Sequence, residues 1–190
     1  NETLVRSEIG EIQLTDYGIS GICVFNLSRN VSIGLSKNKK EQVKINFLPF
    51  LTKPKEDLTS FIANQPKRPL KTQLEGFLNS KLVDVILTEA NIKETKNYNE
   101  LTNQEKDKLI SFLTEFKTEV IGTNSFEQAQ VCTGGIPLTE VNLKTMESKI
   151  VKDLYIVGEL LDIDGDCGGY NLSIAWISGM LAGIGSANND

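Results

Sequence analysis

From Glu8 to Phe47 apolar and polar residues alternate: Ile12 and Leu14, Ile22 and Val24, Val31, Ile33 and Leu35, then Val43, Ile45 and Phe47. A period of two predicts half-buried strands. Turn signals at Tyr17-Gly18, Ser20-Gly21, Arg29-Asn30 and Lys37-Asn38 have the short spacing of an antiparallel meander or small barrel. Near Leu48-Pro49 the period changes, and spacings of three and four take over through about Lys117. Pro54 suits a first helical turn ahead of Leu58, Phe61 and Ile62, and Pro69 precedes Leu70, Leu74, Phe77 and Leu78. Ser80 is the expected cap of a helix carrying Leu82, Val83, Ile86 and Leu87. Thr102-Asn103-Gln104-Glu105 reads as a capping box, in which hydroxyl and carboxylate each satisfy an orphan amide of the first turn. It launches Leu109, Phe112, Leu113 and Phe116, a stripe expected to be a packing face.

Strand character returns at Glu119-Val120-Ile121-Gly122 and Ala129-Gln130-Val131-Cys132, so the helices look inserted into a β unit. The segments are then 1–52, the first part of a β-barrel-like insert; 53–117, a helical subdomain; 118–132, return strands of the insert; and 133–190. Nine of the fifteen glycines fall in the last segment, where the backbone must bend sharply or approach something closely.

Composition removes several function classes. The net charge of -5 and the near balance of eleven basic and ten acidic residues between Lys53 and Lys117 offer no basic patch for nucleic acid. No apolar run approaches the ~18 residues of a membrane span, and no basic-then-apolar leader opens the chain, so a cytoplasmic protein is expected. Cys23, Cys132 and Cys167 lie far apart without a CxxC pair and read as reduced thiols. The absence of histidine excludes Ser-His-Asp and Cys-His nucleophiles and imidazole-bound zinc. Redox or acid–base chemistry on this chain therefore calls for a bound cofactor. The first residue is Asn1 rather than an initiator methionine, which hints at truncation.

The chemistry is sought in 133–190. Leu154-Tyr155-Ile156-Val157 is a short apolar run ending at Gly158-Glu159, and Gly168-Gly169 then opens a helix from about Tyr170 to Gly183. In open α/β sheets ligands bind beyond the carboxyl ends of strands, where a helix start offers unpaired amides and about half a positive charge. A carboxylate at Glu159 can accept from sugar hydroxyls. Ala175, Gly179 and Gly183 recur every four residues, so that face can lie close to a sheet. The same pattern also fits an ordinary βα unit with a tight turn. Asp162, Asp164 and Asp166 open like a calcium loop, but Cys167 and Ser173 stand where that loop needs glycine and glutamate, so no metal is expected.

Several motifs occur in order: Cys132-Thr133-Gly134-Gly135-Ile136, Glu140-Val141, Thr145-Met146-Glu147-Ser148-Lys149, Leu154 to Glu159, Asp162-Ile163-Asp164-Gly165 and Gly168-Gly169-Tyr170-Asn171-Leu172. Together they resemble the signature of a bacterial family of NAD(P)/FAD-dependent, aminoacetone-oxidase-like oxidoreductases that includes the BaiN-type enzymes. Thr15 to Gly21 and Ser28-Arg29 resemble the opening of that family's insert domain, so the likeness covers nearly the whole chain.

The resemblance implies an α+β / α/β chain: a β-barrel-like insert with a helical subdomain, followed by the C-terminal part of a Rossmann-like FAD-binding domain. It implies FAD as cofactor, with NAD(P)H as electron donor and a small organic substrate, and a partner in the N-terminal half of the FAD domain. Gly158 and Glu159 would meet the ribityl and phosphate region, and Gly168, Gly169, Tyr170, Asn171 and Leu172 would line the isoalloxazine edge, with Asp164 also facing the ligand. No catalytic residue is assigned. Ser173 departs from the family's usual glutamine, and the chain has no GxGxxG for the ADP half of FAD, so it is expected to hold little FAD alone. The alternative is a non-catalytic β-plus-helical interaction module with a structural glycine-rich tail.

Overall fold

A computed structural model describes residues 3–63 and 67–188. The chain divides into two compact units: Asn1–Glu41 with Ile121–Asp190, and Gln42–Val120.

The second unit is helical, as the change of period predicts. β3 (Glu41–Ile45) starts at its boundary and pairs with β4 (Phe116–Val120), and between them run α2 (Pro54–Ala63), α3 (Leu70–Leu74), α4 (Ser80–Ala90) and α5 (Asn103–Thr114). The helices are thus threaded between two paired strands. Leu58, Leu70, Leu74, Val83, Ile86 and Leu109 form the heart of one core. Pro54 opens α2, and Thr102 and Glu105 make both halves of the capping box of α5. Ser80 is the first helical residue of α4 rather than its cap; Asn79 caps it by accepting from the Lys81 amide at 3.0 Å. The buried Tyr98 hydroxyl finds Thr59 Oγ1 at 2.9 Å, so this large side chain enters the core without an orphaned polar atom.

The first unit departs from the expected meander. β1 (Gln13–Thr15) and β2 (Gly18–Ser20) form an antiparallel hairpin around Asp16-Tyr17, in the register Gln13↔Ser20, Leu14↔Ile19 and Thr15↔Gly18. Then Ile22–Ser36, expected as strands, is a helix, α1. Its two buried residues, Cys23 and Gly34, are eleven apart, which is three helical turns. Ile22 is exposed and Val24, Val31, Ile33 and Leu35 are only half-buried, so their alternation does not mark the face that packs, and packing decides against the period of two.

The rest of this unit is built mostly from bends and isolated bridges. Ala129–Cys132 is not a strand; a short 3-10 helix, Phe126–Gln128, precedes it. Leu154–Val157, expected as a strand, also forms none of regular length. It pairs antiparallel with Met146–Ser148: Ser148 N donates to Leu154 O at 2.7 Å and Ile156 N to Met146 O at 2.9 Å. A small core of Val141, Met146, Ile156 and Leu161 gathers there, with Leu181 and Ala182 of α6 (Tyr170–Ala187) packed on it. Among the described residues no helix is long and apolar enough to cross a membrane.

Candidate functional site

Two short structures place the predicted site residues in the first unit. Gly158 and Glu159 begin a 3-10 turn, Gly158–Leu160. Gly158 takes φ +64 and fastens to α6: its amide donates to Ser178 Oγ at 2.9 Å, and the Ser178 hydroxyl donates to Ile174 O at 2.6 Å. Ser178 is buried, so it satisfies an amide where the turn meets the helix. Glu159 is exposed, and its Oε1 accepts from the Cys132 amide at 2.8 Å.

A bridge between Ile136 and Leu161 anchors the next segment. Gly135 has φ +147, and a Cβ there would lie 2.6 Å from Leu160 O, so only glycine lets these backbones meet. From Asp162 to Gly169 the chain forms a loop in which the carboxylates of Asp164 and Asp166 bind protein groups. Asp164 Oδ2 accepts from Arg29 Nε at 2.6 Å and Oδ1 from Thr133 Oγ1 at 2.8 Å. Asp166 Oδ2 accepts from Arg6 Nη2 at 2.7 Å. The Arg6 bond holds the Asp166 carboxyl below its usual range, and Asp166 first, then Glu8, holds the guanidinium above its own. Among the described residues no group of three or more His, Cys, Asp or Glu could hold a metal ion.

The loop is also folded on the helix that follows. Gly165 N donates to Asn171 Oδ1 at 2.8 Å and Asn171 Nδ2 returns to Gly165 O at 2.9 Å. The Asn171 amide is thereby spent internally, while Tyr170 and Leu172 are exposed.

Gly168 and Gly169 take φ +135 and φ +96, and Gly169 serves as the N-cap of α6 with no side-chain cap bond. The first-turn amides of an 18-residue helix thus carry its positive dipole end without a capping side chain. A Cβ at Gly169 would meet nothing within 4 Å, so the space beside this helix start is open.

The close-packed face of α6 is not the one expected. At Gly179 and Gly183 a Cβ would meet nothing, whereas at Gly185 it would lie 2.8 Å from Thr145. Ser178 and Gly185 are buried, with Ile174, Ala175, Leu181 and Ala182 half-buried beside them. Leu172, Trp176, Met180 and Ile184 form an exposed apolar face, with Trp176 76% exposed. Gly179 and Gly183 lie on that open side.

Sequence reasoning missed Arg6, Asn26 and Ser178, and cited Arg29 and Thr133 only within motifs. Asn26 Oδ1 accepts from the Cys167 amide at 2.9 Å. Its partner lies 141 residues away, and no local pattern announces such a bond.

Comparisons with known proteins bear on both halves of the chain. The family described as HI0933-like protein barrel and H2TH domain matches residues 1–131, and HI0933-like protein Rossmann domain matches residues 102–185. A 3-dehydro-bile acid delta(4,6)-reductase of Clostridium scindens is 36% identical over 186 residues, covering 97% of this chain and 46% of that protein. Ribosomal RNA dihydrouridine synthases of Escherichia coli and Haemophilus influenzae are 33% and 31% identical, covering 94% and 91% of this chain and 42% and 41% of their own lengths. The chain spans about half the length of the curated relatives it matches, and the likeness runs through the barrel and H2TH part into the Rossmann part. This chain belongs to the HI0933-like protein family, as the ordered glycine and aspartate motifs of its C-terminal third imply.

Proposed function

We propose that the chain is part of an FAD-dependent oxidoreductase that reduces a carbon–carbon double bond conjugated with a carbonyl group, with NAD(P)H as electron donor. The observation that carries this reading is the start of α6: two left-handed glycines, no capping side chain and open space at the Gly169 Cβ position. The donor set suits a planar, electron-rich edge such as N1 and O2 of an isoalloxazine, because unpaired amides and a helix dipole favour partial negative charge.

Bound FAD would relay hydride from NAD(P)H to the substrate, and a proton drawn from solvent would complete saturation at the neighbouring carbon. The chain's own residues bind and orient. First-turn amides of α6 would donate to the flavin edge, and the bare Gly168-Gly169 backbone would let the ring approach. Glu159, with one oxygen on the Cys132 amide, keeps the other for a ribityl hydroxyl. Asp164 is committed to Arg29 and Thr133. Its part is therefore to shape the loop rather than to contact the ligand.

The relatives' names support the substrate class. A 3-dehydro bile acid with 4,6 double bonds and uridine both present an unsaturated carbon conjugated with a carbonyl, which accepts hydride at the distal carbon. The apolar face of α6 is read as the seat of the remainder of the FAD-binding domain, from the stretch of the relatives that this chain does not span. The experiment is to purify the full-length protein, measure bound FAD, and supply NAD(P)H with a conjugated enone or a uridine-containing RNA. Bound FAD and saturation of the double bond support the reading. Absence of FAD, or a flavoprotein inert toward both acceptors, refutes the cofactor or the substrate class respectively.

A further inference from the structure

Gly168 and Gly169 carry no side chain and occupy positive φ, and on the helix side the Gly169 carbonyl is held by accepting from Ser173 N and Oγ, each at 3.0 Å. Their position comes from the last anchored atoms on either side. After them lies α6. Before them lies the Cys167 amide, and its acceptor is Asn26 Oδ1 of α1, at 2.9 Å. One turn further along α1, Arg29 Nε holds Asp164 Oδ2 at 2.6 Å and reaches Thr133 Oγ1 at 3.1 Å. Three residues apart, Asn26 and Arg29 present one face of the helix to the loop. The same network extends to the N-terminal segment: Asn26 Nδ2 donates to Glu8 Oε2 at 3.4 Å, and Arg6 bridges Glu8 and Asp166.

We propose that α1 sets the position of the cofactor-facing glycine pair, with Asn26 and Arg29 as positioning residues that tie the 162–169 loop to the helix after the hairpin. The inference rests on the flavin reading above. It assigns to the barrel and H2TH part of the chain a hold on the flavin edge: α1 fixes the distance from the α6 amides to N1 and O2, and hence how strongly they stabilise the reduced, more negative flavin. The Asn26→Ala change alters no charge. A change in flavin potential in this variant therefore reports a displaced loop rather than a lost ion.

The test uses full-length protein, wild type and Asn26→Ala, with Arg29→Lys as a variant that keeps a cation for Asp164. In the flavin-free protein, backbone amide exchange over 165–171 is expected to rise roughly three- to tenfold in Asn26→Ala, the range for loss of the bond to the Cys167 amide alone, since the Glu8 bond lies outside that segment. Exchange in the 42–120 unit stays unchanged. In the flavin-bound protein the midpoint potential becomes more negative in Asn26→Ala, with a fall in melting temperature no larger than lost hydrogen bonds explain, and stays near wild type in Arg29→Lys. If exchange and potential are both indifferent to Asn26→Ala, the inference is overturned. It is also overturned if exchange rises but the potential does not move, since the loop would then be pinned without facing the flavin. A protein that binds no flavin sinks the underlying reading as well, whereas a flavoprotein with an indifferent potential sinks this inference alone.

Discussion

Gly169→Ala separates the cost of folding from the cost of binding. At φ +96 and ψ -7 an L residue is strained by about 1–2 kcal/mol, but its Cβ would meet nothing within 4 Å. Stability should fall by about that strain alone. Gly135→Ala is the internal comparison, because it combines φ +147 with a Cβ 2.6 Å from Leu160 O and 2.9 Å from Leu161 C. Overpacking against backbone adds roughly 1–3 kcal/mol, so Gly135→Ala should be about twice as destabilising. In the proposed site the order inverts for flavin: the methyl of Gly169→Ala enters the open space and holds the ring off the α6 amides, each worth ~1.5–3 kcal/mol toward a partly charged acceptor. Losing one such bond weakens FAD retention by roughly ten- to a hundredfold. Urea titration and FAD absorbance after extensive dialysis of the full-length variants measure the two effects. Wild-type flavin content in Gly169→Ala refutes the assignment of that space to the ring. Greater destabilisation by Gly169→Ala than by Gly135→Ala refutes the packing on which the assignment stands.

Three further outcomes are expected. Glu159→Ala in the full-length protein should lose FAD roughly ten- to a hundredfold more readily, while Glu159→Gln, which keeps an acceptor for the Cys132 amide, loses less; equal retention by both in flavin titration removes Glu159 from the site. Glu105 has its pKa lowered to about 2, chiefly by the Lys96 ammonium and then by the Thr102 amide, so its stabilisation is present above its unfolded value and lost as pH falls toward 2. Glu105→Gln should therefore flatten the fall in melting temperature between about pH 4.5 and 2, and an unchanged slope contradicts the coupling. Trp176→Asp should lower the flavin-loaded fraction of the full-length protein, because it puts a charge on the apolar face of α6; normal loading by absorbance would show that face to be free.

Legibility followed the range of the forces involved. The capping box at Thr102 and Glu105, the proline start of α2 and the glycine start of α6 are set by neighbours within four residues, and all three could be read from sequence. α1 could not, because Ile22, Val24, Val31, Ile33 and Leu35 alternate as a strand would, whereas the helix buries Cys23 and Gly34. Nor could the close face of α6: Gly179 and Gly183 advertise close approach, yet Gly185 makes it, against Thr145 forty residues earlier. The ion pairs of Asp166 with Arg6 and of Asp164 with Arg29 were equally hidden, because those partners lie 160 and 135 residues away in sequence. Such tertiary bonds carry no periodic signature.

The central claim is that a flavin edge sits on the first turn of α6, and a crystal structure of the full-length protein with FAD tests it most directly. The account predicts flavin N1 or O2 within hydrogen-bond distance, ~3 Å, of an amide in the Gly169 to Leu172 turn, with the ring over Gly168-Gly169. A flavin bound elsewhere, or a solvent-filled helix start in a flavin-saturated protein, would contradict it.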